Sequence, residues 1–434
     1  MPSTSSIGNG GGCNVFRYST AYQVHQCLVG KPHLISPHAY SESVMSSQGN
    51  RPRILCFVAY YLPGYLAGGP IRTIANFVEQ LGNEFEILIV TRDRDMLGTE
   101  QYPDVKVGDW NKVGNAQVFY APKKSITLTR VARLLRNTPH DLLYVNSFFD
   151  PSFTGLPLLA RHLGMAPSKP CVIAPRGEFS QGAIALKATK KRVYISLVKA
   201  LSLYNNLHWQ ASSDYEREDI CRRVGSIAKS VHIAPNLTSV FNADLHTVST
   251  RAHGSLRLIF LSRISPMKNL DFLLRVLARV SANVELAIYG PQEDAFYWEK
   301  CKDLIKQLPE NIHVTVGGQI PQAQVRDVFA KHDMFVFPSR GENFGHVIFE
   351  SLTVGTPVLV SDQTPWRQDA RCGLEVLPLD ESLWGDAIVN LARLDQETLA
   401  RRRSAAVEFA SVYAVDNMSL RQNRQLFRLA LGEN

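Results

Sequence analysis

No run of 18 or more apolar residues exists in this chain, so no segment is suited to cross a bilayer as a helix. Residues 1–50 lack a basic stretch followed by an apolar one and do not read as a secretory leader. Cysteine is scarce. The seven residues (Cys13, Cys27, Cys56, Cys171, Cys221, Cys301 and Cys372) are scattered, odd in number and free of any CxxC pair. That argues against a disulfide framework or a structural zinc site and fits a reducing cytosol. Charged residues make up 20% and hydrophobic ones 45%, as expected of a globular protein. The net charge of +8 suits anionic ligands: nucleotides, nucleic acid or an anionic lipid surface. Basic residues do interleave with Tyr between 183 and 203, but no nucleic-acid motif accompanies them.

What is present suggests two domains and a tail, which 434 residues can supply. Residues 1–50 are rich in Ser, Gly and His and show no apolar period, so they read as a disordered tail or a misassigned start. Order begins at Arg53. Ile54 to Val58 form a buried strand, followed by Tyr60-Tyr61-Leu62-Pro63, then Gly68-Gly69-Pro70, then a helix from Ile71 to Leu81. The glycine loop is not GxGxxG, so a dinucleotide fingerprint is absent. Two adjacent glycines let backbone approach a ligand closely, or simply make a flexible loop. Phe85 to Val90 is a second strand. Asp93-Arg94-Asp95 after it imitates an acidic metal motif, but Arg94 and the flanking Arg92 neutralise the pair. A solvated charged loop is the better reading. Strands at Asp141–Asn146, Val172–Pro175, Trp209 and His232–Asn236 complete a first domain over 51–240. Asn146, Arg176 and Glu178 stand at strand ends, where parallel sheets bind ligands. A plain salt bridge between Arg176 and Glu178 explains those two equally well.

Residues 183–203 read as one basic amphipathic helix, with Lys187, Lys190, Lys191, Arg192 and Lys199 among Ile184, Val193, Leu197 and Leu201. It could rest on an anionic leaflet. The favoured reading is an ordinary surface helix with its apolar face on the core.

Residues 237–255 are polar and mixed, as a hinge linker would be. A second alternation of strands and helices then runs over 256–412. Leu258 to Leu261 is a strand with Arg263 at its end, and Lys268 follows just before a helix that reaches Val280. One Arg and one Lys converging on a pyrophosphate can stabilise its charge without a metal. Val284 to Tyr289 ends in Gly290-Pro291, and Ile312 to Val316 ends in Gly317-Gly318-Gln319-Ile320. Met334 to Phe337 is a strand broken by Pro338. Val347, Ile348, Ser351 and Leu352 then recur at helical spacing, and Val358 to Val360 is the next strand. The loop before this helix holds Glu342, Asn343, Phe344 and Gly345. A helix start offers free N–H groups and a partial positive charge to a phosphate. Glu350 follows Glu342 by eight positions and shares a stripe with His346. Carboxylates so placed can accept from vicinal sugar hydroxyls, which suggests a sugar-nucleotide site. The plainer alternative is two solvated acids on a surface helix. Residues 380–434 read as helical.

The order Pro338-Ser339, Glu342-Asn343-Phe344-Gly345, Glu350, Gly355-Thr356-Pro357-Val358, Asp362 resembles the Glu-x7-Glu signature of the family-4 (group 1) retaining glycosyltransferases. Asn343 replaces the family's usual Gly, and Ser351 its usual small residue. The resemblance implies an α/β chain of GT-B architecture: two facing Rossmann-like domains with parallel sheets, and a C-terminal helix (413–434) packing back on the first domain. It implies acceptor binding by 51–240 and donor binding by 256–412. The implied reaction moves a sugar from a nucleotide-sugar to an acceptor hydroxyl with retention, in exopolysaccharide or lipopolysaccharide assembly. Arg263 and Lys268 would stabilise the departing diphosphate, and Glu342 would hold the sugar together with the Asn343–Gly345 backbone. Glu350 would hold the ribose, Gln319 and Ile320 would read the base, and Gly68 and Gly69 would face the donor phosphate. Asn146, Arg176 and Glu178 would be acceptor-side groups. Many members carry a His near Asn146 and Phe148; this chain does not. The loop Gln363–Arg367 would shape the donor pocket. No metal or other cofactor is expected, nor nucleic acid as a partner. The expected setting is the cytoplasm, at the inner face of the membrane only under the less favoured reading in which 183–203 rests on a leaflet. Rival functions are a phosphorylase or epimerase on the same scaffold, or a non-catalytic binder of nucleotide-sugar or nucleic acid.

Overall fold

A computed structural model describes residues 51–123, 126–185, 188–240, 254–368, 373–415 and 417–433. The tail 1–50 and most of the 237–255 linker lie outside these residues, as do Lys187, Cys13, Cys27 and Cys372.

The first sheet comprises β1 (Arg53–Phe57), β2 (Glu86–Arg92), β3 (Trp110–Val113), β4 (Ala116–Ala121), β5 (Leu142–Asn146), β6 (Cys171–Ala174), β7 (His208–Ala211) and β8 (Ser230–Ile233). Their order is β3-β4-β2-β1-β5-β6-β7-β8. Strands such as Ile54–Phe57 are buried almost throughout because helices cover both faces. One face packs Leu55, Phe57, Val90, Val145 and Phe153 with α2 (Leu128–Asn137) and α3 (Leu156–His162). The other packs Ile54, Cys56, Ile87 and Tyr144 with α1 (Gly69–Leu81). The sheet is not wholly parallel, contrary to the expectation. β3 pairs antiparallel with β4. Only Gly114 and Asn115 separate the two strands, and a link that short can return the chain only antiparallel.

The helix expected over 183–203 is two: α4 (Gln181–Ala185) and α5 (Ala188–Ala200). Tyr194, Ile195 and Val198 of α5 pack on the core. Val193, Leu197 and Leu201 remain exposed, although an ordinary surface helix would turn its apolar residues inward. α6 (Asp214–Val224) completes this domain.

The second sheet holds β9 (Ser255–Leu261), β10 (Asn283–Tyr289), β11 (Ile312–Gly318), β12 (Met334–Phe337), β13 (Val358–Ser361) and β14 (Leu374–Leu377), all parallel, in the order β11-β10-β9-β12-β13-β14. Its helices are α7 (Leu270–Leu277), α8 (Ala295–Lys306), α9 (Gln322–Ala330), α10 (His346–Thr353), α11 (Glu381–Ala392) and α12 (Gln396–Val415). The last helix, α13 (Met418–Leu431), crosses back to the first domain. There Phe427 lies 4.9 Å from the Phe77 ring and 5.1 Å from the Tyr144 ring. Arg424 forks onto both oxygens of Glu84, at 2.7 and 2.6 Å. Tyr413, by contrast, still stacks on Trp366 of the second domain.

Each sheet reverses its strand order once, between β1 and β5 in the first and between β9 and β12 in the second. Crevices open at such switch points, beyond the carboxyl ends of the strands.

Candidate functional site

One cleft gathers most of the singled-out residues. Gly68 and Gly69 line it from the first domain. From the second come Arg263, Lys268, Gln319, Ile320, Glu342, Gly345, His346 and Glu350. It encloses about 920 Å³, counting the solvent at its mouth. The second-domain residues surround the β9/β12 switch point, since Arg263 follows β9 and Glu342 follows β12.

Two helices begin at this cleft, one from each domain. α10 starts at Gly345 (φ 80°) without a side-chain cap. That left-handed backbone favours glycine, and a Cβ on Gly345 would also crowd Ile348 Cδ1 at 2.8 Å and Glu342 Cγ at 3.1 Å. α1 starts at Gly68 (φ 65°), again uncapped. Free amide donors and the positive ends of two helix dipoles therefore converge on one space.

Both cations are held by carboxylates. Lys268 is 8% exposed, and its Nζ donates to Glu342 Oε2 at 2.5 Å and lies 5.1 Å over the Phe337 ring. Arg263 Nη1 donates to both oxygens of Glu293, each at 3.0 Å. Before Lys268 the chain leaves Ser262 and Arg263 at the end of β9, and Asn269 adopts φ 62° to start α7. Asn tolerates that left-handed backbone through its own polar side chain.

Glu350 and His346 do share a stripe of α10, but the stripe is not solvated. It faces α1 of the other domain. Arg72 Nε lies 3.2 Å from Glu350 Oε1, and Gln322 Nε2 donates to the same oxygen at 3.0 Å. Burial pushes the Glu350 carboxyl up, and Arg72 and Gln322 counter it. His346 Nε2 meets Thr73 Oγ1 at 2.8 Å. Burial, assisted by Arg72 and Arg176, pushes the imidazole down to about 3, so the ring is neutral.

Two residues of the Glu342–Gly345 loop point away from the cleft cavity. Asn343 hydrogen-bonds to Ser212 of the first domain. Phe344 is buried beside Trp366, whose Nε1 donates to the Phe344 carbonyl at 2.6 Å. The 363–367 loop thus supports the site from beneath through Trp366. Arg367 lies 5.0 Å over the Tyr215 ring of the first domain.

On the first-domain side, no Arg176–Glu178 salt bridge forms among the described residues. Arg176 (φ 59°) instead donates to Asn146 Oδ1, through Nε at 3.1 Å and Nη2 at 2.8 Å. It also bonds to Tyr144 and Asn236. Glu178 accepts from Ser147 Oγ and the Phe148 N–H at 2.6 Å each, and from the Phe149 N–H at 3.1 Å. Those three bonds commit its carboxylate to shaping the loop after β5, a positioning role. Asp93 and Asp95 are likewise engaged. Arg94 and Gln101 donate to Asp93, and the amides of Tyr65 and Leu66 donate to Asp95. Arg92, expected to neutralise that pair, does not: its guanidinium sits 5.5 Å from the Tyr60 ring and 5.0 Å from the Phe153 ring.

Arg72, Thr73, His346 as a domain contact, and Glu293 were not legible as site residues. Only Arg72 carried a signal, a lone cation one turn into a helix that opens with two glycines.

The match to known proteins is densest in the second domain. Residues 242–370 fit the family model described as glycosyl transferases group 1. Across these residues the chain is similar to the group 1 glycosyl transferases. It is 30% identical over 166 residues to a D-inositol 3-phosphate glycosyltransferase of Mycobacterium leprae (strain Br4923), covering 36% of this chain and 38% of that relative. It is 28% identical over 193 residues to a phosphatidyl-myo-inositol mannosyltransferase of Mycobacterium leprae (strain TN), covering 43% and 50%. The chain is thus matched to half or less of these relatives' length. The fold is shared far more widely. A crystal structure of Anabaena HepE in complex with UDP and glucose superposes with a TM-score of 0.61 at 15% identity, covering 87% of this chain and 99% of that one. A sucrose-phosphate synthase from Thermosynechococcus elongatus gives 0.65 at 17%, covering 88% and 100%. These neighbours, like this chain, have the GT-B arrangement of two Rossmann-like domains.

Proposed function

We propose that this glycosyltransferase moves a sugar from a nucleotide-sugar to an acceptor hydroxyl with retention at the anomeric carbon. The observation that carries this is the convergence of Arg263, Lys268, Glu342 and Glu350 with the uncapped start of α10 in a single interdomain cleft. That set matches the needs of a nucleoside diphosphate: two cations and free amides for the phosphates, a carboxylate for the ribose. The donor then lies in the second domain (256–412), with the base beside Gln319 and Ile320, the ribose on Glu350 and the sugar by Glu342 and Gly345. Asn343 and Phe344 act through backbone and support. The acceptor enters along the first domain (51–240), where Asn146 and Arg176 form the wall. Binding of UDP and glucose by the structural neighbour supports a uridine nucleotide as the first donor class to try.

In the proposed step, the bond from the anomeric carbon to the diphosphate oxygen breaks as the acceptor oxygen bonds on the same face. The acceptor proton passes to the departing phosphate oxygen. Lys268 and Arg263 leave Glu342 and Glu293 to meet the growing negative charge. No metal ion is invoked; among the described residues no cluster of three or more His, Cys, Asp or Glu side chains stands ready to hold one. No helix among them is long and apolar enough to cross a membrane. The exposed stripe Val193, Leu197, Leu201, flanked by exposed Lys190 and Arg192, supports peripheral binding to an anionic leaflet at the cytoplasmic face. A lipid-linked acceptor in polysaccharide assembly fits such a placement.

The test is calorimetry with UDP and UDP-sugars, followed by NMR of the product. Retention requires the anomeric configuration of donor and product to agree. An inverted product, or no binding of any nucleotide-sugar, would overturn the reading.

A further inference from the structure

The first domain has a switch point of its own, and an unpaired cation stands over it. β1 and β5 are neighbours, yet the chain leaves them in opposite directions. Arg92 ends β2 beside them, and its guanidinium lies between the Tyr60 ring, which follows β1, and the Phe153 ring, which follows β5. Its Nε is buried without a hydrogen-bond partner. Among the described residues Arg92 has no carboxylate partner, and the acids nearest in sequence are committed elsewhere: Asp93 to Arg94 and Gln101, Asp95 to three backbone amides. Asp150, near Phe153, accepts from the amides of Ser152 and Phe153 through Oδ1 as the cap of the turn they open, and no ion pair joins it to Arg92 among the described residues.

Burying guanidinium nitrogen without an anion is costly unless a ligand supplies one. Tyr60 and Phe153 lie at cation–π distance from the guanidinium and supply no hydrogen-bond acceptor to it. An oxyanion would supply the acceptor that the group lacks, and phosphate and carboxylate are the anions arginine binds best. The carboxyl edge of this sheet also carries Asn146, Arg176 and Ser212, and it faces the second domain through the Ser212–Asn343 contact.

We infer that Arg92 binds an oxyanion carried by the acceptor, so that the substrate receiving the sugar is itself a phosphate- or carboxylate-bearing molecule. This rests on the reading of the first domain as the acceptor side. The donor's diphosphate occupies the other switch point, and the two anions have separate cations.

Anion titration separates the two sites. Inorganic phosphate and acetate are titrated by calorimetry into the full chain, into Arg263→Ala/Lys268→Ala, and into that double variant with Arg92→Met added. Methionine keeps the apolar stem between the rings and removes the charge; Arg92→Lys restores it. The double variant is expected to retain a site for at least one of the anions, and the better ligand names the group. Adding Arg92→Met should weaken that site about tenfold or more, and Arg92→Lys should recover part of it. Thermal melts confirm that each variant is folded. If the double variant binds neither anion, or Arg92→Met changes nothing, the inference is overturned while the donor reading stands. If instead the wild type binds UDP no better than the double variant does, the donor reading fails and the anion result still decides the role of Arg92.

Discussion

Arg72 Nε of the first domain lies 3.2 Å from Glu350 Oε1 of the second, so the carboxylate proposed for the ribose is already occupied by a cation from across the cleft. A ribose can take that oxygen only if Arg72 moves. Arg72 is thus a competitor of the nucleotide at Glu350 and a tie between the domains. The two side chains should therefore affect binding in opposite directions. Glu350→Ala is expected to weaken UDP binding by about 1–3 kcal/mol, the cost of losing hydrogen bonds to a charged acceptor. Arg72→Ala should strengthen it. Calorimetry on both variants decides; equal losses would show that Arg72 assists the nucleotide.

Lys268 is nearly buried against Glu342 and Phe337. Lys268→Met keeps the stem packed and deletes the charge. Turnover should fall by about 10²-fold or more, as for other single groups aimed at developing charge. The melting temperature should change little. Steady-state rates measured beside a thermal melt test this, and unchanged turnover would remove Lys268 from the diphosphate.

His346 ties its domain to Thr73 in the neutral form. Its pKa is pushed down to about 3 by burial, with Arg72 and Arg176 adding to the effect, against an ordinary value of 6.5. Between those values the unfolded chain takes up a proton that the folded chain refuses. Stability is therefore present above pH 6.5 and is lost as pH falls toward 3, by about 2 kcal/mol at pH 5 if the domains unfold together. His346→Gln cannot titrate and should flatten that part of the pH–stability profile. Melting temperatures from pH 7.5 to 4.5 compare the two proteins, and parallel curves would contradict the assignment.

Val193 and Leu197 of α5 and Leu201 just after it present apolar area to solvent, with Lys190 and Arg192 beside them. Sedimentation with vesicles containing phosphatidylglycerol should recover the protein, and plain phosphatidylcholine should recover less. Serine at all three apolar positions should lower binding about tenfold or more, since each side chain contributes a share of the roughly 1.5–3 kcal/mol of full burial. Gln at 190 and 192 should remove the preference for anionic lipid, at about 1 kcal/mol per charge. Binding that ignores both changes would leave the stripe without a membrane role.

Much of the second domain could be read directly. Met334–Phe337 and Val358–Ser361 are strands because short apolar runs bounded by Pro and Gly have few other ways to bury themselves. Arg263, Lys268, Glu342 and Glu350 stand near strand ends or a helix start, but position alone left the two carboxylates open to a plain surface reading; the resemblance to the Glu-x7-Glu signature singled the set out. Asn343 and Phe344 could not be oriented, because loop residues obey no period and their side chains follow their neighbours: Ser212 draws one and Trp366 the other. Arg92 was misread for a similar reason. In the chain it adjoins Asp93 and stands three positions from Asp95, but in the fold its guanidinium packs with Tyr60 and Phe153.

The order of residues by itself determined the alternation of buried strands and helices, the two-domain plan and the helix start that invites a phosphate, because these depend on local periodicity and chain-end chemistry. Only tertiary structure decided that Arg72 faces Glu350, that Thr73 holds His346 and that Glu178 serves a loop. The first two pairings join the domains, across 273 residues for Thr73 and His346, and exist only where the two sheets face each other; the third joins two loops of one sheet 29–31 residues apart.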